Sequence, residues 1–447
     1  MKITQIATTT ALLQREKELS PATQMPGAQK IIPGNQVISN HFQGFGVALT
    51  GSSCYLLSEM DPTARKHFLR SIYTKDGLNL SVARLSIGSS DYSAELYSYD
   101  DVENDLSLSH FSIDRDRAYI IPMVREVLEI RPDLFVFASP WSPPGWMKTG
   151  GSMCGGYMRA EFVSCYADYI VRFIEEYAKE GIKISAITPQ NEPETQQGGR
   201  MPACIWHPEI EAAFVKELKK RLTQKGLDTQ IWLYDHNFDG HARVDWQLKT
   251  FPALQKDADA VAFHYYKGAI EDTRELRKSY PHLKMHFTEG GPRLYDHYDS
   301  DFCKWGIMIS KVLSEGFSSF TGWNLMLDET GGPNIGPFFC GGLVTKNSQT
   351  GEITYSGQYR ALAHVAPFLQ PGACIKEVAI SGNEQGLFKY PNSQKPLYAA
   401  LIENPDGTRT YLLVNPDTEK KQAQLFEDGA WRYVELLPES ISTVRVE

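Results

Sequence analysis

Two glutamates follow short apolar strands at points where a carboxylate adds nothing to a hydrophobic core. Glu192 lies in residues 184–194, where a strand gives way to Thr-Pro-Gln-Asn-Glu-Pro. Glu289 lies in residues 284–291, where another strand ends in Thr-Glu-Gly-Gly. Such strand ends are typical of the carboxyl-terminal mouth of a βα-barrel, where side chains face a cleft. We therefore predict that the two glutamates, 97 positions apart (289 − 192), form one pair of catalytic carboxylates.

Two carboxyl groups that flank one bond are sufficient to hydrolyse an acetal. One protonates the leaving oxygen, and the other attacks the anomeric carbon or activates water. Asn191 is placed to hydrogen-bond a sugar hydroxyl beside the reacting carbon, and Tyr266 to hold a nucleophilic carboxylate ionised. Arg84 is expected to orient a carboxylate. His264 is expected to be a hydrogen-bonded residue at the rim of the cleft rather than a metal ligand.

Motifs of other enzyme classes do not accompany these glutamates. The sequence has no GxSxG around a serine and no HExxH or HxH pattern. The glycine-rich residues 150–156 lack the Lys-Ser/Thr of a phosphate-binding loop, and the acidic residues 91–105 lack the spacing of a calcium loop. We therefore expect neither a metal nor a cofactor.

The elements that must position the two glutamates alternate between short apolar strands and amphipathic helices, as in βα units. The predicted strands are residues 44–50, 78–87, 134–139, 184–189, 230–234, 260–266, 285–288 and 319–325. The predicted helices are residues 62–73, 114–130, 160–179, 208–225, 241–252, 271–280, 302–314 and 357–368. Eight strands that alternate with eight helices predict a (β/α)8 barrel.

The helix at residues 160–179 shows the periodic pattern most clearly. Its aromatic residues recur at spacings of three and four and therefore lie on one face: Phe162, Tyr166, Tyr169, Phe173 and Tyr177. Gly181 is expected to end this helix in a left-handed conformation.

Three segments make up the predicted domain organisation. Residues 1–40 contribute N-terminal strands, residues 41–370 form the catalytic barrel, and residues 371–447 contain short alternating strands without a helical period. Strands are predicted at residues 398–402, 409–414 and 431–436. We expect the two terminal segments to form one small β-sandwich attached to the barrel.

Composition limits the classes of partner. The net charge of the 447 residues is −9, and no basic stretch suggests a nucleic-acid partner. No stretch approaches the roughly 20 apolar residues of a membrane helix. The 7 cysteines are scattered, and the N-terminus resembles a strand more than a signal peptide. These features predict a cytoplasmic protein and leave its oligomeric state open.

With these residues in place, the sequence resembles glycoside hydrolase family 30, the group that includes lysosomal glucosylceramidase. The resemblance begins at about residue 43 and runs to the C-terminus through the ordered motifs QGFGVALT, RLSIGSSDYS, ASPWSPPGWMKTGG, TPQNEP, HYY, FTEGG and GWNLMLDETGGPN. It implies a retaining mechanism in which Glu289 is the nucleophile and Glu192 the acid/base. It also implies a sugar site formed by Asp91, Trp141, Asn191, His264, Tyr266, Trp323 and Asn334.

The leading prediction is a retaining β-glycosidase that hydrolyses β-glucosides through a covalent glycosyl-enzyme. A cytoplasmic bacterial enzyme of this kind would act on small glycosides or oligosaccharides rather than on ceramide lipids. The family's range leaves β-xylosidase, β-fucosidase and β-1,6-glucanase activities open, and the loops at 195–208 and 331–342 do not identify the leaving group. A non-catalytic carbohydrate-binding protein is the alternative of another class, although both glutamates and Asn191 are present.

Overall fold

The computed structural model describes residues 2–9, 14–381 and 395–447. Met1 and residues 10–13 of the predicted N-terminal segment lie outside the described residues, as do residues 382–394 of the C-terminal one. The strands are β1 (Ile3–Thr9), β2 (Gln14–Glu18), β3 (Pro21–Ala22), β4 (Gln29–Ser39), β5 (Gly44–Ala48), β6 (Val82–Ile87), β7 (Phe135–Pro140), β8 (Ala186–Ile187), β9 (Gln230–Asn237), β10 (Ala260–His264), β11 (Lys284–Glu289), β12 (Ser319–Gly322), β13 (Met326–Asp328), β14 (Val344–Lys346), β15 (Ile353–Tyr355), β16 (Cys374–Ile380), β17 (Tyr398–Glu403), β18 (Arg409–Asn415), β19 (Lys421–Glu427), β20 (Ala430–Leu436) and β21 (Ser440–Val446). The α-helices are α1 (Gly51–Ser58), α2 (Pro62–Tyr73), α3 (Asp114–Arg117), α4 (Ile120–Ile130), α5 (Val163–Lys179), α6 (Pro208–Lys225), α7 (His241–Thr250), α8 (Leu254–Asp257), α9 (Arg274–Ser279), α10 (Phe302–Ser314) and α11 (Gly357–Ala363).

Eight parallel strands, β5 to β12, close into a barrel in which β12 pairs with β5. The predicted (β/α)8 barrel is therefore confirmed, and each of its strands overlaps its predicted range. The strand that leads to Glu192, β8, is only two residues long. Pro189 has no N–H to donate to a neighbouring strand, so regular pairing cannot continue to the glutamate.

The helices differ from the predicted pattern in several places: α8 was not predicted, and the helices predicted at residues 271–280 and 357–368 shorten to α9 and α11. The predicted helix at residues 114–130 is divided into α3 and α4, and Pro122 lies in the first turn of α4, where its missing N–H leaves no hydrogen bond unmade. The short helix α1 was not predicted. Its N-cap is Thr50, whose side chain accepts a hydrogen bond from the Ser53 N–H, so the first strand ends earlier than its apolar sequence suggests.

The interior of the barrel changes character along its axis. Toward the amino ends of the strands it is filled by rings, with Trp232 stacked on His286 at 3.7 Å and packed against Phe137. Side chains two residues further along a strand point the same way, and there Arg84, Ser139 and other polar groups replace the rings. Apolar packing thus supports a polar layer directly beneath the mouth.

The aromatic face of α5 is buried as predicted. The five aromatic residues at positions 162, 166, 169, 173 and 177 are all at most 7% exposed. Gly181, just beyond the helix, has φ +78°, the left-handed conformation expected of a residue that ends a helix.

Both termini build the second domain, which is a single ten-stranded sheet in the order β2-β1-β21-β18-β17-β16-β4-β19-β20-β3. The sheet curls around its own apolar core, which includes Ile3, Tyr411 and Leu425. The Gln5 side chain on β1 donates to the Glu435 carbonyl on β20 at 2.6 Å, although these strands are far apart in the sheet order. The predicted sandwich therefore consists of one continuous sheet folded over on itself.

Candidate active site

A bulge at the end of β9 directs an aspartate into the barrel. The pairing of β10 with β9 shifts between Ala262 and Phe263, so that Asp235 has no direct partner across the strands. Tyr234 and Asp235 both have positive φ, 75° and 63°. Bulges re-aim side chains at the rims of barrels, and here the bulge turns the Asp235 carboxylate toward the axis.

Asp235 is the centre of the polar layer beneath the mouth. Its carboxylate accepts hydrogen bonds from the hydroxyls of Ser139 (2.8 Å), Thr188 (2.7 Å) and Thr288 (2.7 Å). It also accepts from the Arg84 guanidinium at 2.9 Å. Burial disfavours its charge, but the charge of Arg84, the hydrogen bond and charge of His264 and the hydrogen bond from Thr288 hold the pKa of Asp235 well below its usual range.

Glu289 is the last residue of β11, and two groups fix its carboxylate. Arg84 makes a short ion pair with Oε2, and the Tyr266 hydroxyl donates to Oε1 at 2.9 Å. Burial and the negative charge of Glu289 raise the pKa of Tyr266 well above its usual range, so this hydroxyl stays a donor. These two contacts hold the carboxylate at a fixed position.

Glu192 lies on the opposite side of the mouth, with φ 51° and its N–H bonded to the Asp235 carbonyl at 3.0 Å. Its Oε1 lies 3.3 Å from Nδ1 of His264, and its Oε2 accepts a short hydrogen bond from the Gln197 amide. Burial alone would raise the pKa of Glu192. The hydrogen bond from His264 and the nearby positive charges outweigh that effect and lower it.

His264 is buried beneath both glutamates rather than at the rim of the cleft. Its Nε2 lies 3.1 Å from Asp235 Oδ1, while its Nδ1 faces Glu192. Burial disfavours a charge on the ring, but the carboxylates of Glu289, Asp235 and Glu192 outweigh burial and raise the pKa of His264 to about 9. Both ring nitrogens face carboxylates, and one of them lies with Glu192 and Glu289 in a group close enough to hold a metal ion. The expectation of no metal and no cofactor stays a prediction.

The two glutamates face each other across a small gap. One oxygen of Glu192, one oxygen of Glu289 and one ring nitrogen of His264 lie within 4.8 Å of one another. Both carboxylates open into a pocket of about 360 Å³ at the carboxyl ends of the barrel strands. Pockets of this size commonly hold small ligands or parts of larger ones.

Most of the predicted sugar-site residues line this pocket: Asp91, Trp141, Asn191, Tyr266 and Trp323. The rings of Trp141 and Trp323 stack at 5.1 Å and form a flat apolar surface. Asn191 is fixed by Arg84, which donates to its side-chain oxygen at 2.8 Å. Burial and the charges of Glu289 and Glu192 raise the pKa of Asp91 well above its usual range.

Three predicted residues contribute without lining the pocket. Arg84 and His264 lie behind the glutamates and hold them. Asn334 uses its side chain within its own loop, where it donates to the Phe338 carbonyl and accepts from the Gly336 N–H. It therefore shapes the loop that carries Phe338 to the pocket.

Several pocket residues were not predicted from the sequence: Thr195, Gln197, Met201, His236, Asn237, Arg293, Phe338 and Cys340. Asp235 was not predicted as a site residue either. Asp235, His236 and Asn237 could have been found, because they end a predicted strand as the two glutamates do. The others lie on loops whose sequence carries no comparable pattern.

A protein-family model described as the glycosyl hydrolase family 30 TIM-barrel domain matches residues 42–369. The chain belongs to glycoside hydrolase family 30. It is therefore a glycoside hydrolase, as its sequence predicts, and its substrate is a glycoside. Among the described residues, no helix combines the length and the apolar character that crossing a bilayer requires.

Relatives of this family 30 hydrolase have two kinds of activity in their names. An endo-1,6-beta-D-glucanase of Neurospora crassa is 29% identical over 409 residues, covering 87% of this chain and 83% of the relative. A putative glucosylceramidase 3 of Caenorhabditis elegans is 32% identical over 370 residues, covering 77% of this chain and 70% of the relative.

Two solved structures share the fold over nearly the whole length of the chain. SrfJ from Salmonella typhimurium superposes with a TM-score of 0.90 at 26% identity, and both chains are covered completely. The endo-beta1,6-glucanase BT3312 superposes with a TM-score of 0.85 at 26% identity, with 99% of each chain covered. The similarity therefore includes the terminal sheet as well as the barrel.

Proposed function

We propose that this family 30 enzyme hydrolyses β-glucosides with retention, with Glu289 as the nucleophile and Glu192 as the acid/base. The spacing of the carboxylates carries this proposal. Inverting glycosidases separate their carboxyl groups by about 6.5–9.5 Å to admit a water molecule, whereas retaining enzymes hold them about 5–5.5 Å apart. Oxygens of Glu192 and Glu289 within 4.8 Å of each other fit the second arrangement.

In the first step, the ionised Glu289 attacks the anomeric carbon while the bond to the leaving oxygen breaks. Glu192 gives its proton to that oxygen, so the leaving group departs as a neutral alcohol. Arg84 and Tyr266 hold the Glu289 carboxylate in place before the attack. The paired rings of Trp141 and Trp323 offer an apolar face for the sugar, and Asp91 and Asn191 offer partners for its hydroxyls.

In the second step, Glu192 removes a proton from a water molecule that enters the space left by the alcohol. The water oxygen attacks the anomeric carbon, and the bond to Glu289 breaks. The two displacements return the sugar with its β configuration. Glu192 ends the cycle protonated and Glu289 ionised, so no external acid or base is consumed.

Replacing each glutamate tests these roles. We expect Glu289→Gln to lose nearly all turnover of 4-nitrophenyl β-glucoside and to keep substrate binding. We expect azide to restore turnover to Glu192→Ala on activated substrates and to yield a β-glycosyl azide. Glu329→Gln is the matched control, because Glu329 is exposed and accepts hydrogen bonds from Ser348, away from the pocket. An α-azide product, or full turnover by Glu289→Gln, would refute the assignment.

The residues next to Glu192 suggest the kind of leaving group. Thr195, Gln197, His236 and Asn237 line that side of the pocket, and these polar side chains suit the hydroxyls of a second sugar better than an alkyl chain. We therefore propose a β-linked oligosaccharide as the substrate, with a β-1,6-glucan as the first candidate. A cytoplasmic location also stays a prediction.

Glucosylceramide is the second candidate, because relatives with that activity in their names cover most of the chain. The test compares a β-1,6-glucan, its disaccharide and glucosylceramide in detergent micelles, each with the wild type and Glu289→Gln. We expect the wild type to release glucose or short oligosaccharides from the glucan, and we expect Glu289→Gln to release neither. If the wild type releases glucose from glucosylceramide faster than it releases sugars from the glucan and its disaccharide, glucosylceramide becomes the first candidate.

A further inference from the structure

The chain that follows Glu192 turns back onto its own carboxylate. The Thr195 N–H donates to the Glu192 carbonyl at 3.2 Å, and the Gln197 N–H donates to the Thr195 hydroxyl at 3.2 Å. This turn brings the Gln197 side chain over the pocket, where its amide donates to Oε2 of Glu192. Residues 192–197 therefore form a closed loop in which the side chain at one end bonds to the side chain at the other.

The backbone at both ends of that loop is in an unusual conformation. Gln197 has φ 49° and Glu192 has φ 51°. Residues other than glycine rarely adopt the left-handed region, and they stay there where the surrounding structure or function requires it. The two glycines that follow Gln197 also have positive φ. The loop is thus built to present the Gln197 amide to the carboxylate.

The two oxygens of Glu192 have different surroundings. Oε1 lies 3.3 Å from His264 and 3.9 Å from His236, and both of these rings are buried. Oε2 accepts the hydrogen bond of the Gln197 amide, which lines the pocket, so a leaving group that approaches Oε2 from the pocket meets this amide. A proton on Oε2 and the donating N–H of Gln197 cannot share that hydrogen-bonding position.

We propose that Gln197 is a positioning residue that holds Glu192 as a carboxylate in the free enzyme, and that the leaving-group oxygen of the substrate displaces it. This proposal rests on the role proposed for Glu192. Displacement lets Oε2 take up one proton from solvent, which it then transfers to the leaving oxygen. The proton that Glu192 gains from water in the second step returns to solvent when Gln197 rebinds. The freed amide can then bind a hydroxyl of the leaving sugar.

The other charged groups around Glu192 come from several strands. His264 on β10, His236 on β9 and Arg84 on β6 favour its ionised form, while Glu289 and Asp91 oppose it. None of these groups bonds to Gln197 through its side chain in the described part of the chain. If the pKa of Glu192 changes when Gln197 is replaced, the change therefore reports the loss of the hydrogen bond from the amide.

The test is the pH dependence of kcat/KM for 4-nitrophenyl β-glucoside in Gln197→Met, which keeps the length of the side chain without a donor. Loss of a hydrogen bond to the charged form raises the pKa of Glu192, so the alkaline limb moves to higher pH. We expect a shift of about one pH unit, from the usual strength of a hydrogen bond to a charged group. Gln196→Met is the matched control, because Gln196 bonds the Gly156 N–H outside the pocket lining.

A second variant separates the hydrogen bond from the loop conformation. Gln197→Asn keeps an amide and tolerates a positive φ, but its side chain is one methylene too short to reach Oε2. We expect it to shift the alkaline limb as Gln197→Met does. The proposal is overturned if the alkaline limb of the kcat/KM profile stays in place in both Gln197 variants, or if Gln196→Met shifts it equally. Full turnover by Glu192→Ala would instead refute the acid/base assignment, and the role of Gln197 would fall with it.

Discussion

At the scale of single residues, Asp235 is the group on which both catalytic carboxylates depend. It pairs with Arg84, which holds Glu289, and it faces His264, which holds Glu192. Arg84 and Asp235 are both fully buried. A buried charge that loses its partner is strongly destabilising. The aspartate therefore serves the stability of the barrel as well as the geometry of its mouth.

We expect Asp235→Asn to lose most turnover and to lower the free energy of unfolding by about 3 kcal/mol, because the buried Arg84 and His264 would each lose one of the carboxylates that balance their charge. Urea unfolding followed by circular dichroism measures the stability, and 4-nitrophenyl β-glucoside hydrolysis measures turnover. The control is Asp239→Asn, because Asp239 pairs with the exposed Lys267. Equal stability of the two variants would contradict this role for Asp235.

At the scale of elements, helix α5 anchors the segment that carries Asp91 to the pocket. Tyr97 and Tyr99 follow Asp91 in sequence, and Tyr177 is on α5; all three hydroxyls donate to the buried carboxylate of Asp116. The Tyr169 hydroxyl of the same helix accepts from the Tyr99 N–H at 2.9 Å. The aromatic face that defines α5 in the sequence thus also supplies polar contacts that fix a loop of the site.

Tyr177→Phe removes one of three donors to Asp116 and leaves the ring packing in place. We expect the free energy of unfolding to fall by about 1–3 kcal/mol, since a buried carboxylate loses a hydrogen bond. Thermal and urea unfolding provide the measurement. Tyr157→Phe, at a surface tyrosine that is 40% exposed, is expected to change stability little. A similar small effect of Tyr177→Phe would show that the cluster contributes no stability.

At the scale of the whole molecule, His364 joins the barrel to the terminal sheet. It follows α11, and its ring nitrogens lie 2.8 Å from the Thr443 hydroxyl and 2.9 Å from the Thr8 hydroxyl. Thr8 belongs to β1 and Thr443 to β21, so one side chain contacts both termini. Burial lowers the pKa of His364 to about 4. The ring is therefore neutral in the folded protein near neutral pH.

The depressed pKa of His364 predicts a loss of stability in acid. Its ordinary pKa is 6.5 and its folded value about 4, so the unfolded chain binds the proton first as the pH falls. The stabilisation is present above about pH 6.5 and is lost progressively down to about pH 4. Between pH 7 and pH 4.5, we expect wild type to lose about 2–3 kcal/mol more unfolding free energy than His364→Gln.

Urea unfolding at both pH values measures this difference. Other titrating groups contribute equally to both proteins and cancel in the comparison. His67→Gln provides the control, because His67 on α2 is exposed and should follow the wild type. If the wild type and His364→Gln lose the same free energy of unfolding between pH 7 and pH 4.5, the assigned role of His364 is wrong.

Local sequence patterns predicted the barrel, the positions of its eight strands and the two glutamates at its mouth. Hydrophobic periodicity is a local property, and the carboxyl ends of parallel strands necessarily meet at one edge of a barrel. Aromatic spacing likewise determined the buried face of α5. The strand ends also predicted Asn191 and Tyr266 as site residues, and the family resemblance implied Asp91, Trp141 and Trp323; all five line the pocket.

Only the tertiary structure decided how those residues are held. Asp235 becomes central through a bulge, and a bulge depends on the pairing between two strands rather than on the sequence of one. Gln197 reaches Glu192 because of a loop conformation that no periodic pattern encodes. The curl of the terminal sheet joins residues more than 400 positions apart, such as Gln5 and Glu435. Contacts between segments far apart in the chain are fixed by packing, which local sequence patterns do not record.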